Sequence, residues 1–177
     1  MKIFLISLCL ALFLSPVDGK EARAKLKPVF AATVNGHRIE LFINYGVFDP
    51  EKRKVERVDA KGDDGEVYKQ ILVQGKQILG TDNGEPGNSE IIESMTVVWD
   101  GKRQEVPQDL FDHIVNPHRG TDIKDSYAGI LFIVDPKGEV LLVDMGYGDG
   151  GGAGGIQWRF SKNGPPILCK GAIHNGG

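Results

Sequence analysis

Two histidines five residues apart, His113 and His118, stand among Asp109, Asp112 and Asp122, the densest group of imidazoles and carboxylates in the chain. Imidazole titrates near neutrality, and carboxylates orient it or share metals with it. The set therefore offers general acid–base chemistry or part of a zinc site, with His113, His118 and Asp112 as the candidate catalytic residues. Zinc would need further ligands from elsewhere. The plainer reading puts His113 at the C-terminal end of a short helix, where a cationic ring suits the dipole, and His118 on the surface.

Two acidic loops hold the candidate metal ligands: Asp63, Asp64 and Glu66 near Asp59, and Asp82 and Asn83 near Glu85, Asn88 and Glu90. Their oxygens are the ligands calcium takes, and extracellular calcium is abundant enough to fill weak sites. Neither loop has EF-hand spacing, since the sixth position from Asp59 is Asp64 rather than glycine and the third from Asp82 is Gly84. Asp, Asn and Gly are also what turns require. No cofactor is expected, with calcium in these loops the one exception the ligand chemistry allows.

Gly146, Gly148 and Gly151 spell G-x-G-x-x-G, but more glycine and then an alternating strand follow it. A dinucleotide cradle needs a helix N-terminus for the pyrophosphate, so a flexible connection is the reading retained. Cys169 and His174 suggest a thiolate–imidazole pair, yet side chains five apart on a strand point to opposite faces. With Ile167 and Ile173 on its own face, Cys169 reads as a buried small apolar residue. Trp99, Trp158, Phe160, Tyr127 and Tyr147 would make a sugar-binding platform if exposed, but their alternation with polar residues assigns Trp99 and Trp158 to the core. The chain contains no G-x-S-x-G elbow, H-E-x-x-H pair or P-loop.

The elements that must position these residues are almost all strands. Short runs rich in Val, Ile and aromatics alternate with Gly, Asn, Asp and Pro, the pattern of a sandwich or barrel. Segments 29–35 and 38–45 flank Asn35-Gly36 and predict a hairpin. Further strands are expected over 54–59, 66–74, 77–79, 90–99 and 103–106, with Asp100-Gly101 as a tight turn. Ile91, Met95, Val97 and Trp99 share one face of the 90–99 strand, which Glu93 interrupts. Pro107, Asp109 and the spacing of Leu110, Phe111, Ile114 and Val115 predict a short α-helix over 107–115, ended by Asn116-Pro117. Segments 127–134 and 140–143 are apolar on both faces, so both faces of that hairpin should be covered. The stretch 146–155 holds seven glycines in ten residues. Strands at 156–161 and 167–173 follow, separated by a turn over 162–166. The fold expected is mainly β: an antiparallel β sandwich of eight to ten strands, with a partly open β barrel as the alternative.

Lys2, the apolar run 3–14 and Ser15-Pro16 have the order of a secretory signal peptide covering 1–19, or 1–24 if Ala22-Arg23-Ala24 is the cleavage site. The run is too short for a transmembrane anchor, which takes roughly 20 residues. A single β-rich domain is expected over 29–174, secreted or periplasmic. Past the leader only Cys169 is left, so core packing rather than a disulfide must stabilise it. A net charge of −3 argues against a nucleic-acid partner. The function expected is an exported binding or interaction module with a protein or carbohydrate ligand. The alternatives are a small secreted hydrolase or metal-dependent enzyme using the His113 and His118 region, and a structural cell-envelope protein.

Overall fold

The computed structural model describes residues 27–62, 64–81, 85–120, 129–148 and 153–169. Within them the chain forms eleven strands: β1 (Phe30–Val34), β2 (His37–Val47), β3 (Val55–Lys61), β4 (Val67–Val73), β5 (Lys76–Gln77), β6 (Glu90–Trp99), β7 (Lys102–Glu105), β8 (Ile130–Val134), β9 (Val140–Tyr147), β10 (Gly154–Ser161) and β11 (Gly164–Cys169). They pair antiparallel into two four-stranded sheets, β1-β2-β6-β7 and β11-β10-β9-β8, and a three-stranded sheet, β3-β4-β5. The sheets stay open rather than closing into a barrel, and the two larger ones face each other as a sandwich.

Local chemistry sets the hairpins. Asn35 and Gly36, Gln74 and Gly75, and Asp100 and Gly101 all have positive φ, the pair of left-handed positions that a two-residue turn of matching twist requires. Each locks the register beside it, as in Val34 opposite His37 and Trp99 opposite Lys102. Between the sandwich layers lie Ile39, Leu41 and Ile43 of β2, Met95, Val97 and Trp99 of β6, Leu141, Val143 and Met145 of β9, and Ile156, Trp158 and Phe160 of β10. Trp158 is fully buried and donates to the Leu110 carbonyl at 3.0 Å; Trp99 donates to the Gly138 carbonyl at 3.0 Å.

Glu93 breaks the alternation of β6 because it sits in a bulge. Asn44 pairs with Ser94 and Tyr45 with Ile92, so Glu93 drops out of the ladder. Its carboxylate lies outside, accepting from Asn44 Nδ2 at 3.0 Å over Gly46, where any Cβ would collide with it. The phase shift sends Ile92 into the sandwich core and moves Ile91, expected on the face of Met95, Val97 and Trp99, into a second cluster with Phe48, Ile71, Val73, Ile78 and Val115 beneath the small sheet.

Other expectations need correction as well. In place of an α-helix over 107–115 there is one 3-10 turn, Gln108–Leu110, whose start has no side-chain cap. Ile114 and Val115 then run extended because they enter different cores, which an extended backbone serves by pointing neighbours to opposite faces. Of the glycine-rich stretch, Gly146 pairs with Gly155 and Tyr147 with Gly154, so its ends are strand. The last turn is only Lys162-Asn163, and Pro165 and Pro166 belong to β11, which tolerates them as an edge strand. The outward face of the β8–β9 hairpin is not covered: Leu131 is 38% and Ile133 44% exposed.

Candidate functional site

The segment that carries the histidines is a staple joining all three sheets. Leu79, just past β5, bridges Ile114 in parallel, Ile91 of β6 bridges Val115, and Tyr147 of β9 bridges Pro117. Gly120 then bridges Gly129 at the start of β8. Gly80 makes the crossing feasible: its φ is +96°, and a Cβ there would lie 2.0 Å from the Val115 carbonyl oxygen. Asn116 donates through Nδ2 to the Gly80 carbonyl at 2.9 Å and accepts at its own carbonyl from Gly148 N at 2.9 Å.

His118 donates from its backbone to the Gly146 carbonyl and from Nε2 to the Gly148 carbonyl at 2.7 Å. It is half-buried and holds the glycine-rich hairpin against the staple. Arg119 ends the staple over the Tyr45 ring, 4.3 Å from its centroid, and forks onto Glu90. Burial pushes the Tyr45 phenol up to about 12, and its hydroxyl is buried with no hydrogen-bond partner.

Asp112 and His113 are shut inside, with side chains 6% and 7% exposed. Asp112 Oδ1 and His113 Nδ1 lie 3.6 Å apart, outside hydrogen-bond range, and neither atom has a partner. Each such orphan costs about 1–3 kcal/mol. A base must touch its substrate to act on it, and these two groups have little exposure to solvent. Asp109 lies apart from them, bonded to Lys76 through its carbonyl and 3.7 Å from it through its carboxylate. The structure thus keeps Asp112 beside His113 but gives Asp109 and His118 contacts of their own, and Asp122 lies outside the described residues.

Asp64 accepts from Glu66 N at 2.9 Å, shaping the β3–β4 turn, while Glu66 is exposed. Asp59 pairs with Lys69, and Arg57 forks onto Glu85. Asp63, Asp82 and Asn83 lie outside the described residues, among which no three His, Cys, Asp or Glu side chains gather as a metal would need. Gly151, Tyr127 and His174 also lie outside them. Trp99, Trp158 and Phe160 are in the core and Tyr147 is half-buried. Cys169, expected inside, is a free thiol on the outer face: Leu168 stands opposite inward-facing Trp158, which leaves Cys169 opposite Gln157 and half-exposed.

Two further groupings stand out, the first of which escaped the sequence because distant turns assemble it. At one end of the sandwich Asp100 Oδ2 lies 2.9 Å from both His37 Nδ1 and Lys162 Nζ, and its Oδ1 accepts from Arg38 N. Lys162, Arg38 N and His37 together hold the Asp100 carboxyl down at about 2. A shallow, open depression near Val47, Asp49, Lys52, Arg53, Glu93 and Gln108 has a volume of about 240 Å³. That is smaller than ligand pockets usually are.

The second grouping is a surface. On the outer face of the β8–β11 sheet, Ile133, Leu142, Arg159 and Ile167 form one cross-strand row and Leu131, Asp144, Gln157 and Cys169 the next. Ile167 is 46% exposed, and Gln157 donates to Asp144 at 2.7 Å. The row ends at β8, a terminal strand that reads Ile-Leu-Phe-Ile-Val. Its signal in the sequence was a run apolar on both faces. No family model, curated protein or solved structure matches the chain.

Proposed function

We propose that the protein is an exported interaction module that docks a protein partner along the side of the sandwich formed by β1 and β8. The observation that carries this reading is an edge strand without Pro, Lys or any charge, whose outward Leu131 and Ile133 are 38% and 44% exposed. Such an edge offers main-chain groups and apolar side chains to an extended segment, the ingredients of strand addition. Burial of Trp99, Trp158 and Phe160 favours a protein over a carbohydrate, since those rings are not on the surface for a sugar to stack on. Export rests on Lys2, the apolar run 3–14 and Ser15-Pro16. No helix among the described residues is long and apolar enough to cross a membrane.

A photo-crosslinking side chain placed at Leu131 in one variant and at Pro165 of β11 in another tests the reading in the native envelope or medium. Discrete protein adducts are expected from position 131 and none from position 165. Equal labelling at both, or none at position 131, overturns it.

A further inference from the structure

We infer that the β8 edge pairs with β8 of a second copy of this chain, antiparallel and centred on Ile133; this rests on the docking reading above and names its partner. The hydrogen-bonding groups select the register. Gly129 accepts from Gly146 and Asp135 donates to Val140, so the odd-numbered positions of this ladder address β9. Ile130 instead donates to the Gly120 carbonyl on the other side. Alternation therefore turns the N–H and C=O groups of Phe132 and Val134 to the edge away from β9, where no strand among the described residues pairs with them.

A two-fold axis at Phe132 would need the Ile130 N–H, which Gly120 already takes. An axis at Ile133 uses only Phe132 and Val134, each bonding the other residue in the second copy, for four N–H to carbonyl bonds. Ile133 then faces its own copy in a non-hydrogen-bonded pair, with Cα atoms about 4.5 Å apart. The exposed aliphatic side chain at the middle of the edge is covered by its like, and Phe132 meets Val134 on the core side.

Charge and shape favour a copy over another strand of the protein. β8 has no charged residue, so two chains of net charge −3 meet there without like charges opposed. Leu131 comes opposite Asp135, whose carboxylate is turned into its own turn by Glu139 N and Val140 N, both at 2.7 Å. Phe30 of β1 stacks on Phe132 at 4.7 Å, so the same axis sets the two β1 edges side by side and both layers continue across the interface. The contact is isologous, as closed dimers are.

The test starts from a Cys169→Ser chain, which removes the native thiol. Ile133→Cys is expected to oxidise to a disulfide-linked dimer, because its pair spacing falls within disulfide reach. Leu131→Cys, opposite Asp135, is expected to stay unlinked. By sedimentation equilibrium the unsubstituted protein should dimerise, and Ile133→Lys, which opposes two ammonium groups, should weaken association by roughly tenfold or more at an unchanged melting midpoint. If Ile133→Lys does not fold, the two cysteine variants decide. A chain that sediments as a monomer, or links as readily through position 131 as through 133, overturns the inference. A monomer that still crosslinks to another protein at position 131 overturns it while leaving the docking reading in place.

Discussion

Along one flank of the sandwich, β7 carries Lys102, Arg103, Gln104 and Glu105, and β11 begins Gly164-Pro165-Pro166; along the other, β1 reads Phe-Ala-Ala-Thr-Val and β8 reads Ile-Leu-Phe-Ile-Val. Charges and prolines are how β proteins keep edges from pairing, the first by repulsion and desolvation, the second by deleting the donor. The β7/β11 flank has both devices and the β1/β8 flank has neither. The ties across the layers differ in kind as well: a hydrogen bond from Gln104 Nε2 to the Gly164 carbonyl at 2.8 Å on the guarded flank, stacked Phe30 and Phe132 on the open one. An unguarded edge is a hazard for a monomer and an asset for a protein that pairs through it. The difference between the flanks is what supports the binding role proposed for the open one.

The comparison breaks most visibly at Phe132. Truncation to alanine removes a half-buried ring and its stacking on Phe30, with an expected loss of about 3 kcal/mol in urea unfolding. A loss below about 1 kcal/mol would mean that the open flank is sealed by something other than the ring pair. On the guarded flank, Gln104→Ala removes one part-buried hydrogen bond and should cost only about 1 kcal/mol. The ratio of the two losses measures how far the flanks differ in construction.

Replacing Pro165 and Pro166 together by valine probes the guard itself. Both residues are outside the buried core, so stability should move by no more than about 0.5 kcal/mol. The freed edge should nevertheless gain a concentration-dependent association that Ile133→Lys does not suppress. Sedimentation of the combined variant checks this; a strict monomer would show that the prolines guard nothing.

Much of this architecture is readable from residue order, because turns and alternation act locally. Asn35-Gly36 and Asp100-Gly101 specify left-handed positions that few other pairs adopt, and the strands around them follow. Glu93 is visible as a break in alternation, but whether such a break ends a strand or bulges it depends on Asn44 and Tyr45 across the ladder. The 107–115 segment misleads because Leu110, Phe111, Ile114 and Val115 have helical spacing, while Ile114 and Val115 are claimed by two different cores. His113 and His118 look like a site for the same reason: five residues apart on paper, they are used separately, one buried and one bonded to Gly148. Leu131 and Ile133 carry the opposite lesson, since an apolar outer face predicts a cover that the rest of the described chain does not supply.

The smallest expected effect concerns the tie shared by both flanks. Asp100 belongs to the β6–β7 turn on the guarded side, His37 opens β2 on the open side, and Lys162 sits in the β10–β11 turn, so the cluster holds the two flanks at one end. The Asp100 carboxyl is depressed to about 2 from an ordinary 3.8, so the folded state binds its proton less tightly than the unfolded chain does. Its contribution is therefore complete above the ordinary carboxylate range and is lost as pH falls through about 2. Glu105 on β7 and Asp135 in the β8–β9 turn are lowered too, by Thr96 and Arg103 in one case and by backbone N–H groups in the other, and they share the acid limb. Asp100→Asn should flatten that limb without removing it: between pH 4 and pH 2 its urea midpoint should fall less steeply than that of the parent. Parallel slopes would mean that the end cluster does not couple the flanks, and that each is held only by its own interlayer contacts.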